Sequence, residues 1–271
     1  MQPKKISIIG INGRFGQWFK HFFENRACEV RGCDRDSAHM LPHVVAWADV
    51  VIFCVPISST IDVIHRAVEH SREGQLWMDI TSIKFPAMRA MLRSKADVVG
   101  LHPLFAPPAE DTWHGNTVAV CSPGEMILRD STWFSSFISK TGARVEKIDA
   151  AMHDFLMLGD QNIPHIVAIA TALTLQDMKV DPKLLLKFAT KVSRKQFGIM
   201  ARVLSQDPEL YADIQMENLG GADALNKLIA VLTLLRDLVA AKDKDAFVDK
   251  FEDAREFLGP EFIKEAATFF G

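Results

Sequence analysis

Between residues 5 and 148, short apolar runs alternate with segments of helical pattern. That rhythm restricts the chain to a sheet whose strands are joined by crossover helices. The expected strands are Lys5–Ile9, Glu29–Cys33, Asp49–Val55, Leu76–Ile80, Val98–Leu101, Thr117–Cys121 and Arg144–Ile148, several of them rich in Val and Ile. A helical stretch from about Glu125 to Ser139 separates the last two. From Ala150 onward the alternation stops. Apolar residues recur there at helical spacing through Ile163–Leu175, Leu184–Leu204 and Leu225–Ala241, and no further strand is expected. Asp181-Pro182 reads as a helix start, with the aspartate as cap and the proline in the first turn. Asp207-Pro208, Gly220-Gly221 and Gly259-Pro260 punctuate the same half.

A chain of 271 residues accommodates two domains, expected as 1–149 and 150–271. With 48% hydrophobic and 24% charged residues and a formal charge of −3, the composition is that of a globular protein with no basic stripe for nucleic acid. No apolar stretch reaches the length of a membrane span, and the start lacks a signal-peptide core, so a cytoplasmic location and no membrane partner are expected. Cys28, Cys33, Cys54 and Cys121 have no paired C-x-x-C spacing, and the nine histidines form no H-E-x-x-H cluster, so no metal is expected. The C-terminal helices are too apolar to be satisfied within one small domain, which predicts a homodimer through the helical half.

Gly10, Gly13 and Gly16 stand between the first strand and a helix expected over Gln17–Glu24. Glycine there permits a tight turn and close backbone approach to a pyrophosphate, while the helix N-terminus offers free amides, including those of Arg14 and Phe15. The spacing is G-x-x-G-x-x-G, with Ile11 where the stricter pattern has glycine, and a plain strand-to-helix turn is the alternative. The second strand ends at Cys33-Asp34, where a carboxylate accepts hydrogen bonds from an adenosine ribose. Together these predict a Rossmann-type, doubly wound, mostly parallel sheet that binds NAD, followed by an all-helical domain. Asp34 repels a 2′-phosphate, although Arg35 and Arg14 offset that repulsion. Val55-Pro56 ends the third strand beneath the cofactor, or is simply a strand-ending proline.

Three further segments follow no structural need of their own: Asp79-Ile80-Thr81-Ser82-Ile83-Lys84, Gly100-Leu101-His102-Pro103-Leu104-Phe105-Ala106-Pro107, and Met152-His153-Asp154 with Ile163-Pro164-His165. The first two follow strands, so Ser82, Lys84 and His102 belong at the carboxyl edge of the sheet, where ligands bind.

With its glycine turn, D-x-x-S-x-K, G-x-H-P-x-F, the later H-D…P-H and Arg202-x-x-x-x-Asp207-Pro208, the chain resembles the prephenate dehydrogenase family of tyrosine biosynthesis along nearly its whole length. The segment Ser205–Ile214 is most similar to the dehydrogenase portion of bifunctional chorismate mutase–prephenate dehydrogenases. A monofunctional enzyme is expected, since the glycine turn lies near Met1 and no regulatory domain follows Gly271. The resemblance implies oxidative decarboxylation, in which a hydride leaves the hydroxyl-bearing ring carbon for NAD and carbon dioxide departs. It implies that His102 accepts a hydrogen bond or proton from the substrate hydroxyl, with Ser82 orienting substrate and imidazole. It also implies that Arg202 binds the ring carboxylate and that His165 belongs to the substrate pocket. Lys84 and His153 are further substrate-binding candidates, although His153 alternatively caps the helix joining the domains.

Ala106 stands where the family pattern has glycine, and Pro107-Pro108-Ala109-Glu110-Asp111 replaces its usual continuation. Both bear on substrate identity, since an acidic group there suits the amine of arogenate, unless these are merely solvated loop carboxylates. The rival readings are an arogenate or 4-amino-4-deoxyprephenate dehydrogenase, a hydroxyacid-type dehydrogenase built on a catalytic lysine, and a non-catalytic NAD-binding sensor or assembly protein.

Overall fold

The computed structural model describes residues 2, 4–108, 110, 112–122 and 131–270. The seven strands are β1 (Lys5–Ile9), β2 (Glu29–Cys33), β3 (Val50–Phe53), β4 (Leu76–Asp79), β5 (Asp97–Pro103), β6 (Thr117–Cys121) and β7 (Arg144–Ile148). They form one sheet in the order β2-β1-β3-β4-β5-β6-β7. All neighbours are parallel except β5 and β6, whose antiparallel register sets His102 opposite Ala119. This pairing with β6 carries β5 two residues past the expected end at Leu101, so His102 and Pro103 lie within the strand.

The crossovers contain α1 (Arg14–Glu24), α2 (Leu41–Trp47), α3 (Ile57–Val68), α4 (Phe85–Met91) and α5 (Ser131–Thr141). Residues 125–130 of the expected helix lie outside the described residues. Strand side chains alternate between two cores, as the pleat requires. Ile6, Ile8, Ile52 and Met78 meet Phe19, Phe22 and Phe23 of α1 and Phe137 of α5 on one face. Ile9, Val51, Phe53 and Trp77 meet α2, α3 and α4 on the other. This two-sided burial is why the strands read as near-continuous apolar runs.

Beyond the sheet follow α6 (Ala150–Met157), α7 (Ile163–Asp177), α8 (Pro182–Phe188), α9 (Lys191–Leu204), α10 (Pro208–Glu217), α11 (Gly221–Ala241) and α12 (Lys244–Ala267). Asp149, Asp181 and Asp207 cap α6, α8 and α10 by accepting from backbone amides two or three residues on. The expected continuous helix from Leu184 to Leu204 is instead two. Ala189 is extended (ψ 130°), and the Thr190 hydroxyl accepts from the Ser193 amide to start α9, a local bond that competes with helix continuation. Gly259 (φ 72°, ψ 160°) kinks α12 just before Pro260. Residues up to Gly221 form one compact unit and those from Ala222 a second. The expected division at 149/150 falls between β7 and α6, inside the first unit. Among the described residues, no helix is long and apolar enough to cross a membrane.

Within the first unit, α10 ties the helices to the sheet. Its Asp213 carboxylate accepts from the Ser58 amide (3.0 Å) and hydroxyl (2.8 Å) in the first turn of α3. Ile214 packs with Ile57 and Ile83. The buried Asn162 donates to the Ile214 carbonyl at 3.1 Å, and Asn218 donates to the Asp154 carbonyl at 2.9 Å.

Candidate active site

The turn after β1 is shaped by two glycines. Gly10 has φ +87°, and a Cβ on it would lie 2.4 Å from the Cys54 carbonyl oxygen; one on Gly16 would lie 2.1 Å from the Gly10 carbonyl oxygen. Both positions therefore need glycine so that turn, helix and β3 can approach closely. Gly13 is the N-cap of α1 and contributes no capping side chain, and the first turn has no acidic residue. The amides at Arg14, Phe15 and Gly16 thus open the helix toward an anion. The Arg14 side chain is exposed, whereas the Phe15 ring packs against Phe19 and Phe105 at 6.4 and 6.5 Å.

Beside the turn, Gly10, Asp34, Arg35, Val55, Pro56 and Arg66 line a cleft of about 240 Å³. Asp34 is half-buried at the end of β2. One carboxylate oxygen accepts from the Asn12 amide (3.0 Å) and the other from the Arg35 amide (2.8 Å). A carboxylate has about four acceptor sites, so capacity remains for a diol. The shape, free helix amides and acidic acceptor suit a dinucleotide.

Further along the carboxyl edge, the Asp79–Lys84 loop is pinned from inside. Lys84 has no solvent exposure, and its Nζ donates to Asp79 Oδ2 (2.5 Å) and to the Leu101 carbonyl (2.7 Å). The Thr81 hydroxyl donates to the same Asp79 oxygen at 2.7 Å. The Lys84 side chain, expected to meet a substrate carboxylate, is enclosed and paired with Asp79. Gly100 makes the room, since a Cβ there would lie 3.1 Å from Lys84 Cδ. Ser82 stays half-buried at the surface of this loop. In the register of β4 with β5, Asp79 stands opposite Gly100, two residues before His102.

His102 is 3% exposed. Its Nδ1 lies 2.9 Å from His153 Nε2, and His153 Nδ1 lies 2.8 Å from Asp154 Oδ1. At 1% exposure His153 is enclosed, with His102 and Asp154 on its two ring nitrogens. With Nδ1 engaged, His102 presents Nε2, which lies 3.5 Å from Gln161 Nε2. Burial, with His153 and Lys84 adding to it, holds the His102 imidazole well below the ordinary histidine range.

Gln161 escapes sequence reasoning. It belongs to a single π-helical turn, Leu158–Asn162, between α6 and α7. Such turns re-aim side chains and recur at functional sites. The buried Gln161 Oε1 has no hydrogen-bond partner, and neither has His165 Nδ1, four residues on along the same helical path. His165 is half-buried against Tyr211 of α10, ring centroids 4.4 Å apart, and burial lowers its pKa against the opposing effect of Asp160. Unsatisfied buried acceptors are costly unless a water or ligand meets them. Arg202, in the last turn of α9, is exposed. Ala106 is exposed as well, so its methyl does not fill the space at His102. In the loop beyond it the Glu110 carbonyl accepts from Trp18 Nε1 at 2.8 Å, while Ala109 and Asp111 lie outside the described residues.

Two family models match the chain: "Prephenate dehydrogenase, nucleotide-binding domain" over residues 24–147 and "Prephenate dehydrogenase, dimerization domain" over residues 149–253. A probable arogenate/prephenate dehydrogenase of Methanocaldococcus jannaschii is 32% identical over 94% of this chain, which spans only 61% of that protein. A 4-amino-4-deoxyprephenate dehydrogenase of Streptomyces pristinaespiralis is 30% identical over 93% of this chain and 90% of its own. The crystal structure of prephenate dehydrogenase from A. aeolicus with hydroxyphenyl propionate and NAD+ superposes with a TM-score of 0.73 at 18% identity, covering 94% of this chain and 96% of that one. It shares the fold.

Proposed function

Because this chain belongs to the prephenate dehydrogenase family, we propose that it catalyses the NAD-dependent oxidative decarboxylation of prephenate to 4-hydroxyphenylpyruvate. The observation that carries this reading is His102, a buried imidazole at the carboxyl edge of the sheet with Nδ1 occupied and Nε2 presented. Bound NAD supplies the hydride acceptor. The amides of residues 14–16 hold its pyrophosphate, Asp34 its ribose, and Val55 and Pro56 floor the cleft. His102 Nε2 takes the hydroxyl proton as the ring carbon gives up hydride, and the electrons of the breaking bond to carbon dioxide complete the aromatic ring. Ser82 orients the hydroxyl. Gln161 Oε1 and His165 Nδ1, left unsatisfied by the protein, meet polar groups of the substrate. Arg202 supplies the cation for the ring carboxylate, an assignment supported by the R-x-x-x-x-D-P pattern.

In this reading residues 1–149 hold cofactor, and the helical residues that follow, matched over 149–253 by a dimerization-domain model, pair with a second copy. The helical half leaves Phe155, Phe188 and Val192 at 65, 76 and 58% exposure, and Val167, Phe197 and Met200 line an apolar groove between α7 and α9. Apolar surface on this scale suits a homodimer.

A second reading, turnover of the 4-amino analogue, is favoured by the unpartnered Gln161 Oε1 beside His102, an acceptor suited to a ring amine. Steady-state turnover of prephenate, arogenate and 4-amino-4-deoxyprephenate with NAD and with NADP separates the readings. Prephenate with NAD is expected to give the highest kcat/KM, and no turnover of any of the three refutes the group. Cofactor binding without ketoacid formation would instead mark a sensor.

A further inference from the structure

A neutral imidazole in water favours the Nε2–H tautomer, the wrong one for accepting a proton at Nε2. The structure contains a device that reverses this preference at His102. Asp154, in the middle of α6, accepts backbone amides with both oxygens: Lys84 N on Oδ1 and Phe85 N on Oδ2, each at 2.8 Å. It is therefore an acceptor toward His153 as well, and the His153 Nδ1 at 2.8 Å must carry hydrogen. With His153 neutral, its Nε2 holds only a lone pair, so His102 Nδ1, 2.9 Å away, is the donor. The opposite arrangement would set a carboxylate oxygen against a ring lone pair, with both groups almost fully enclosed.

We propose that Asp154 and His153 form a positioning relay that holds His102 as its Nδ1–H tautomer and keeps Nε2 an acceptor toward substrate. The relay rests on the reading of His102 as the group that meets the substrate hydroxyl. It has a second output. The Asp154 contacts to Lys84 and Phe85 cap the short helix α4 immediately after the Ser82 loop. One carboxylate thus sets both the proton pattern of the base and the seat of the loop that carries Ser82. Neither His153 nor Asp154 is a catalytic residue; both act through His102. The motif H-D at 153–154 is legible in the sequence, but its target 51 residues upstream is not.

The test is a two-bond ¹H–¹⁵N correlation spectrum of the full chain labelled with ¹⁵N-histidine, with the His102 signals identified by their loss in His102→Asn. Wild type is expected to show unprotonated Nε2 and protonated Nδ1. His153→Phe, which keeps the Asp154 cap on α4, is expected to shift His102 to mainly Nε2–H. It should also lower kcat by about 100-fold, within the range for a mispositioned general base, with KM little changed. An Nε2–H tautomer in wild type overturns the relay, as does an unchanged tautomer in folded His153→Phe; if that variant does not fold, the wild-type tautomer decides. Because the spectrum needs no turnover, failure of the three substrates would refute the proposed function and leave the relay standing or falling on its own signal.

Discussion

The ammonium of Lys84 lies 2.5 Å from the Asp79 carboxylate with both side chains at zero exposure, directly beneath the loop that carries Ser82. Asp79 Oδ1 already lacks a partner. Removing the lysine leaves an enclosed carboxylate with only Thr81 for company. Lys84→Ala is therefore expected to lower unfolding stability by about 3–5 kcal/mol in urea titration. A loss below about 1 kcal/mol would show that water reaches Asp79.

Gly16 has its absent side chain aimed at backbone. A methyl group there would meet the Gly10 carbonyl oxygen at 2.1 Å and the Ile11 carbonyl oxygen at 2.8 Å, neither of which can swing away. Gly16→Ala is expected to open the turn at a cost of about 1–3 kcal/mol. NADH affinity, followed by fluorescence titration, should weaken by at least about tenfold, equivalent to about 1.4 kcal/mol. Unchanged affinity would place the pyrophosphate elsewhere.

The expected strands matched the sheet closely: the interior strands Lys5–Ile9 and Thr117–Cys121 and the edge strands Glu29–Cys33 and Arg144–Ile148 keep their expected ends. The helical half was less legible. Residues 184–204 carry one continuous apolar pattern, broken by the Thr190–Ser193 bond and by Arg194, whose side chain donates to the Leu186 and Ala189 carbonyls. At the site, the residue types at 82, 84, 102 and 153 drew attention for their chemistry, but their burial depends on neighbours remote in sequence. Lysine is seldom fully buried, and the space that Gly100 leaves for Lys84 is a three-dimensional fact. Gln161 was missed because a π turn has no strong sequence signal, although its i, i+4 spacing to His165 was available.

Asp34 couples the turn to β2 through the Asn12 amide and shares its cleft with Arg35 and Arg66. Asp34→Ser removes the charge that repels a 2′-phosphate while leaving both arginines in place. The kcat/KM ratio of NAD to NADP is expected to fall by roughly tenfold or more, of the order of one lost charge-assisted hydrogen bond. A ratio that does not move would remove Asp34 from cofactor choice.

The His102 imidazole titrates well below the ordinary 6.5 because burial, His153 and Lys84 all disfavour its charged form, with Asp154 the nearby anion beyond His153. As a base it acts when neutral. The acid limb of kcat/KM is expected below pH 6.5, with a flat profile through neutrality. Linkage has the same sign: the unfolded chain takes up this proton near pH 6.5 and the folded chain does not, so stability is full above that pH and declines as pH falls through the lower folded value. An acid limb centred at or above 6.5 would contradict this environment.

The central claim is that His102 Nε2 receives the substrate proton, and the direct measurement is single-turnover kinetics of His102→Asn beside an NADH titration of the same variant. Turnover of the preferred substrate is expected to fall by about 10²–10⁴-fold, the span of general base catalysis, with NADH affinity unchanged because the cofactor cleft is built from other residues. Turnover within a few-fold of wild type would contradict the account.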